Sequence, residues 1–174
     1  MAIGRVYNVD IGTTSGVIIG TGGSPGTEYV LIYGFTTGEF NVSAVRVGTY
    51  SQSSASYPSN GTITWRLRRV SSTAPAIATA TATAAPISQS TTAALSTWYF
   101  SGSTGSGTGT FATYGNVVWE QTTPCTAGAN WGEWFTPGFE INVGPGQATL
   151  ALTYELGAGT TSAVGLVPGL IISE

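Results

Sequence analysis

The chain of 174 residues contains no histidine and no lysine, one aspartate (Asp10) and one cysteine (Cys125). Each shortage closes a class of chemistry. Without His, the commonest general base and metal ligand is missing, and no Ser-His-Asp or Cys-His set can form. Without Lys there is no Schiff base and no lysine nucleophile. With a single Asp there is no acidic loop of the kind that holds Ca²⁺, so neither a metal nor a cofactor is expected. A lone Cys allows no intrachain disulfide and ordinarily serves as a small buried hydrophobe. Charged residues are 7% of the chain, against a usual level of about 25%. The net charge is −3 and all five cations are Arg, too few to displace counterions along a nucleic acid. No apolar run approaches the ~20 residues of a membrane helix. The opening MAIGRVYNVD lacks the basic-then-apolar order of a signal peptide, so export by that route is not expected.

Hydroxyls and turn formers fill the space that charge leaves. The chain has 28 Thr, 18 Ser and 25 Gly, with 41% apolar residues. Its solubility therefore rests on hydroxyls and backbone. Thr, Val, Ile and aromatics punctuated by Gly are what pleated strands and tight turns require, and the long Glu/Lys/Leu/Ala runs of a helical protein do not occur.

Patterning along the chain agrees. Residues 1–27 hold two short apolar runs and break at Gly22-Gly23 and Pro25-Gly26, so they form either an N-terminal arm or the first strands. Glu28–Thr36 is continuously apolar, as in a strand buried on both faces. Phe40–Val47 alternates, with Phe40, Val42, Ala44 and Arg46 on one face. Residues 48–61 read as a connection ending in the turn pair Asn60-Gly61. In Thr62–Val70 a period of two puts Ile63, Trp65, Leu67 and Arg69 on one face and Arg66 and Arg68 on the other. The Ala/Thr-rich stretch Ala74–Thr92, flanked by Pro75 and Pro86, suits an edge or loop. Ala93–Phe100 is open between helix and strand, and Thr97–Phe100 favours strand. Residues 101–110 read as a loop. Asn116–Gln121, Trp131–Phe135, Phe139–Val143, Gln147–Leu156 and Leu166–Ser173 follow as strands, with turns at Pro137-Gly138 and Gly144-Pro145-Gly146. Roughly eight to ten short strands at near-regular spacing point to an all-β, antiparallel β-sandwich.

Three groups of residues could carry function. Arg66, Arg68 and Arg69 form the single charge cluster; Arg66 and Arg68 either grip carboxylates of a partner chain, for which Arg is well suited, or lie on a solvated strand face. Trp131, Trp134 and Phe135 beside a turn could stack on sugars, or could bury, with Trp65, in the core or at a subunit contact. Glu133 and Glu140 are the best available carboxylate pair for a two-carboxylate glycosidase; the plainer reading makes them solvated strand ends. Gly-rich SGSTGSGTGT lacks the Lys-Ser/Thr of a phosphate loop. Asn41-Val42-Ser43 and Asn60-Gly61-Thr62 match glycosylation sequons, which arise readily in a Ser/Thr-rich chain.

The succession TITWRLRRV, APISQSTTAAL, NWGEWFTPGFEINVGPGQATLALTYEL and GLIISE resembles the jelly-roll capsid decoration or cement proteins of tailed bacteriophages. The likeness rests on the aromatic-Pro-Gly turn at Trp134–Gly138, the turn at Ile141–Gly146 and the alternating strand that follows. It covers roughly residues 28–174. It implies an eight-stranded jelly roll with no enzymatic activity, usually a homotrimer seated on a lattice of major capsid protein. It also implies a virion location after synthesis in the host cytoplasm, where an unpaired Cys125 is unremarkable. The candidate contact residues are then Trp65, Arg66, Arg68, Arg69, Trp131, Trp134 and Phe135, with a glycan-binding module of a phage tail or fibre as the alternative.

Overall fold

The short apolar stretches separated by Gly, Pro and Ser/Thr all become strands, and every pairing between them is antiparallel. The structure, a computed structural model, describes residues 5–10, 17–19, 26–35, 39–49, 61–70, 79–87, 94–101, 115–144, 150–157 and 164–174. Among these the strands are β1 (Val6–Asp10), β2 (Val17–Ile19), β3 (Glu28–Phe35), β4 (Phe40–Gly48), β5 (Thr62–Arg69), β6 (Thr79–Pro86), β7 (Thr97–Ser101), β8 (Val117–Pro124), β9 (Asn130–Trp134), β10 (Ile141–Val143), β11 (Leu150–Leu156), β12 (Val164–Leu166) and β13 (Gly169–Ser173). The break at Gly22-Gly23, the connection 50–60 with Asn60 of the second sequon, the loop 102–110 and the turn at Pro145-Gly146 lie outside the described residues.

Two sheets pack face to face as a β-sandwich. One runs β9/β10-β4-β13-β1-β6 and the other β6-β7-β3-β11-β5-β8. β6 belongs to both: Thr79–Ala82 pairs β7 and Thr83–Pro86 pairs β1. The sandwich is thus closed by backbone hydrogen bonds along one side and open along the other, between β8 and β9. Setting aside β6, β7 and the small β2–β12 pair, and counting β9 and β10 as one interrupted strand, eight strands remain. They pair first with last (β1–β13), second with seventh (β3–β11), third with sixth (β4–β9/β10) and fourth with fifth (β5–β8). One long hairpin wrapped around a core has this nested order.

One core cluster joins the sheets. Ile63, Trp65 and Leu67 of β5, Leu152 and Tyr154 of β11 and Leu31 of β3 meet Tyr7 and Val9 of β1, Phe40 and Val45 of β4, and Leu170 and Ile172 of β13. The alternation expected for β5 and β11 holds, and β3 is buried on both faces, its Val30 and Tyr33 joining Val70 and Ala151 on the outside. Trp65 is fully buried and donates its indole N–H to Thr123 Oγ1 at 2.9 Å. It is a core residue, not a contact for a partner.

Two open sequence readings are decided and two expectations are corrected. Of the two readings of residues 1–27, Val6–Asp10 takes that of a first strand rather than an arm: it is interior, paired on both sides, with Tyr7 and Val9 fully buried, so the fold includes residues before 28. β6 takes the edge reading of the Pro-flanked stretch: it is the last strand of each sheet, and each half is paired on one side, Thr79–Ala82 with β7 and Thr83–Pro86 with β1. The simple alternation of β4 fails at Ser43: Ile171 and Ile172 oppose Ala44 and Val42, leaving Ser43 as an extra residue. Such a bulge moves the inward face by one position, so Val45 and Val47 join Phe40 and Val42 in the core, while Ala44 and Arg46 turn outward. Finally, Leu166–Ser173 divides around Pro168 into β12 and β13, since Pro offers no N–H to a ladder.

Candidate functional site

The two arginines on the outer face of β5 sit in a lattice of charge made by four adjacent strands. In register, Arg66 is opposite Thr153 of β11 and Glu120 of β8, and facing residues of antiparallel strands share a face. Arg66 donates to Glu120 and to Glu155 at 2.6 Å each, and lies 3.4 Å from Glu28. Arg68 holds Glu28 with two bonds, Nε at 2.5 Å and Nη2 at 2.8 Å, and gives a third to the Gly115 carbonyl at 3.0 Å. Thr153 also donates to Glu28. Burial by itself lowers the Arg66 pKa. Its hydrogen bonds to Glu155 and Glu120 and the charges of Glu28 and Glu155 outweigh that, and the guanidinium is raised above its ordinary value. The carboxylates sought on a partner chain are therefore in this one. Arg69 points the other way and reaches across to the opposite sheet, donating to the Asn142 carbonyl at 2.8 Å.

The WGEWFTPGFE stretch splits into two surfaces. Trp131 and Glu133 of β9 stand opposite Val47 and Val45 and so face inward. There Trp119 of β8, 9% exposed, packs its ring 5.5 Å from that of Trp131 and donates its indole N–H to Glu133 Oε2 at 2.8 Å. This latch of side chains fills the open side of the sandwich. Phe135 packs against the core as well. Two of the three neighbouring residues proposed as a sugar platform or contact, Trp131 and Phe135, are thus turned into the protein, and Glu133 with them.

Trp134 is turned out. β9 and β10 both pair with β4, at residues 44–48 and 40–42. They are one edge strand interrupted by the excursion 135–140. The Phe135 N–H donates to the Ser43 carbonyl at 2.9 Å and the Phe139 N–H to the Thr136 carbonyl at 2.8 Å. Gly138, with φ 91°, takes the left-handed position of a Pro-Gly turn, and its N–H donates to Glu140 Oε2 at 2.6 Å. Glu133 and Glu140 are each held by a separate structural bond rather than converging on a common point. At the tip, Trp134 is 69% and Phe139 79% exposed.

Sequence reasoning missed Phe139, Trp119 and Glu28. Phe139 follows a Pro-Gly turn, which was a usable signal for exposure. Trp119 and Glu28 gain their roles from strand order, which no local pattern encodes. No family model, curated protein or solved structure matches the chain.

Proposed function

We propose that the chain is a non-enzymatic structural protein that decorates or cements a viral capsid, in the manner of the jelly-roll decoration proteins of tailed bacteriophages. The observation that carries this reading is the nested order of its eight main strands, first with last through fourth with fifth, which supports a jelly-roll arrangement. A sheet surface whose arginines are matched within the chain suits a rigid mounting block. On this reading the partners are further copies of the chain, as a homotrimer, and the major capsid protein; the location is the virion surface.

The contact does not run through Trp65, Arg66 or Arg68, which serve the fold. Ile87 and Leu95 suit it better. They are 54% and 66% exposed and both are tied to one end of the β1–β13 ladder, Ile87 through Val6 and Leu95 through the Glu174 carboxylate. Native mass measurement and co-sedimentation with capsid shells test the reading. A trimer that binds shells, and loses one or both in Leu95→Asp, is expected. A strict monomer with no affinity for shells overturns it.

A further inference from the structure

We infer that the edge excursion carries a binding site for a neutral glycan, with Trp134 and Phe139 as the stacking rings. The inference does not depend on the capsid reading and concerns a different edge of the molecule from Ile87 and Leu95. Exposed large hydrophobics scattered singly need no explanation. Here two of them share one six-residue segment, and that segment is held by three backbone N–H bonds and a Pro-Gly turn. Ordered in advance, the rings give up little freedom on binding.

The surroundings select the ligand. The bulge at Ser43 leaves Asn41 and Ala44 both facing outward. Their partners Asn142 and Trp134 therefore lie on the same outer face. The Asn142 amide donates to Asn41 Oδ1 at 3.0 Å and to Glu39, so a fixed row of amides and a carboxylate lies on the face that Trp134 shares. Aromatic faces next to amide and carboxylate groups match the C–H faces and hydroxyl rims of a pyranose. Glu39 and Glu140 disfavour an anion and outnumber Arg46, which lies on the same face, donates to the neutral Asn8 and keeps its charge. A phosphate, a nucleic acid or an acidic glycan is thus a poor match, and a neutral glycan a good one. Size points the same way. With 150–250 Å² per aromatic side chain, the exposed parts of the two rings amount to about 300 Å². That is well short of the ~800 Å² each partner gives to a stable protein contact, and enough for one or two sugar rings.

The test uses the whole chain on immobilised neutral oligosaccharides of glucose, galactose, mannose and N-acetylglucosamine, beside sialylated and sulfated ones, followed by calorimetric titration of the best binder. Binding to a neutral glycan, unchanged by about 0.5 M salt because no charge pair carries it, is expected. Trp134→Ala and Phe139→Ala should each weaken it at least about tenfold, with the thermal midpoint preserved, and Trp134→Tyr should restore part of it. No binding to any neutral glycan, preference for the acidic ones, or affinity unchanged in both alanine variants overturns the inference. Loss of shell binding in these variants, with no glycan bound by the native chain, assigns the rings to a protein contact and overturns it equally. A monomer that binds no shells but does bind a neutral glycan leaves this inference standing and removes the capsid reading.

Discussion

Replacing Glu28 by Gln keeps the shape of the side chain and removes the one carboxylate that both outer arginines share. Glu28 is 11% exposed, and Arg68 grips it with two bonds while Arg66 approaches it to 3.4 Å. After the change Arg66 retains Glu120 and Glu155, but Arg68 keeps the Gly115 carbonyl and loses its paired carboxylate. A hydrogen bond to a charged group contributes about 1.5–3 kcal/mol, and a stranded, largely buried charge adds to the cost. Partial exposure of Arg68, at 19%, reduces the sum, which leaves a loss of about 2–4 kcal/mol. At about 2–4 °C per kcal/mol for a chain of this length, the thermal midpoint should fall by roughly 4–16 °C. Glu120→Gln, at a 50% exposed site, should cost less than about 1 kcal/mol. Calorimetry of both single variants, with a double-mutant cycle joining Glu28→Gln to Arg68→Gln, separates the pair from the rest. A midpoint within about 1 °C of the native chain, or no coupling in the cycle, would refute the lattice and return the arginines to the role of contacts for a partner.

Three further outcomes follow from single contacts. A Cβ at Gly34 would stand 2.7 Å from the ring of Trp98, its cross-strand neighbour, so Gly34→Ala should lose about 1–3 kcal/mol by overpacking; an unchanged melting curve would contradict this. Tyr33 has its phenol pushed up, first by burial and then by the neighbouring Tyr99. Its folded pKa lies above the unfolded value of 10.0, so its contribution is present below pH 10 and lost as pH rises toward the folded value. Urea midpoints should therefore decline above about pH 10, less steeply in Tyr33→Phe, and identical slopes in the two proteins would count against it. Trp119→Phe removes the N–H held by Glu133 and should cost about 1.5–3 kcal/mol. Hydrogen exchange should quicken in β8 and β9 ahead of the β6–β7 side, whereas uniform quickening would mean that the indole is no latch.

What the sequence discloses is local. Period-two patterns place Ile63, Trp65 and Leu67 inward, and Leu150, Leu152 and Tyr154 with them, because every second side chain of a strand faces the same way. The pair Pro137-Gly138 marks a turn because only Gly accepts its left-handed position without strain. What it hides depends on strand order and on single extra residues. Nothing local to Arg66 says that Glu28, Glu120 and Glu155 will lie beside it. The bulge at Ser43 cannot be read from FNVSAVRV, yet it decides that Val45 turns in and Ala44 turns out. Trp131 and Trp134, three apart in one WGEW stretch, fall on opposite faces by alternation alone, and the register with β4 decides which of them turns inward. Val6–Asp10 is short and flanked by Gly and Thr; its place between β13 and β6 comes from the far end of the chain.

Cryo-electron microscopy of intact particles from the native source tests the capsid reading most directly. Decoration predicts that density for the sandwich, with its shared strand β6 and its Trp134–Phe139 edge, recurs at symmetry-related positions on the outer shell, in groups of three. Particles that lack this density, with the protein recovered free as a monomer, would contradict it.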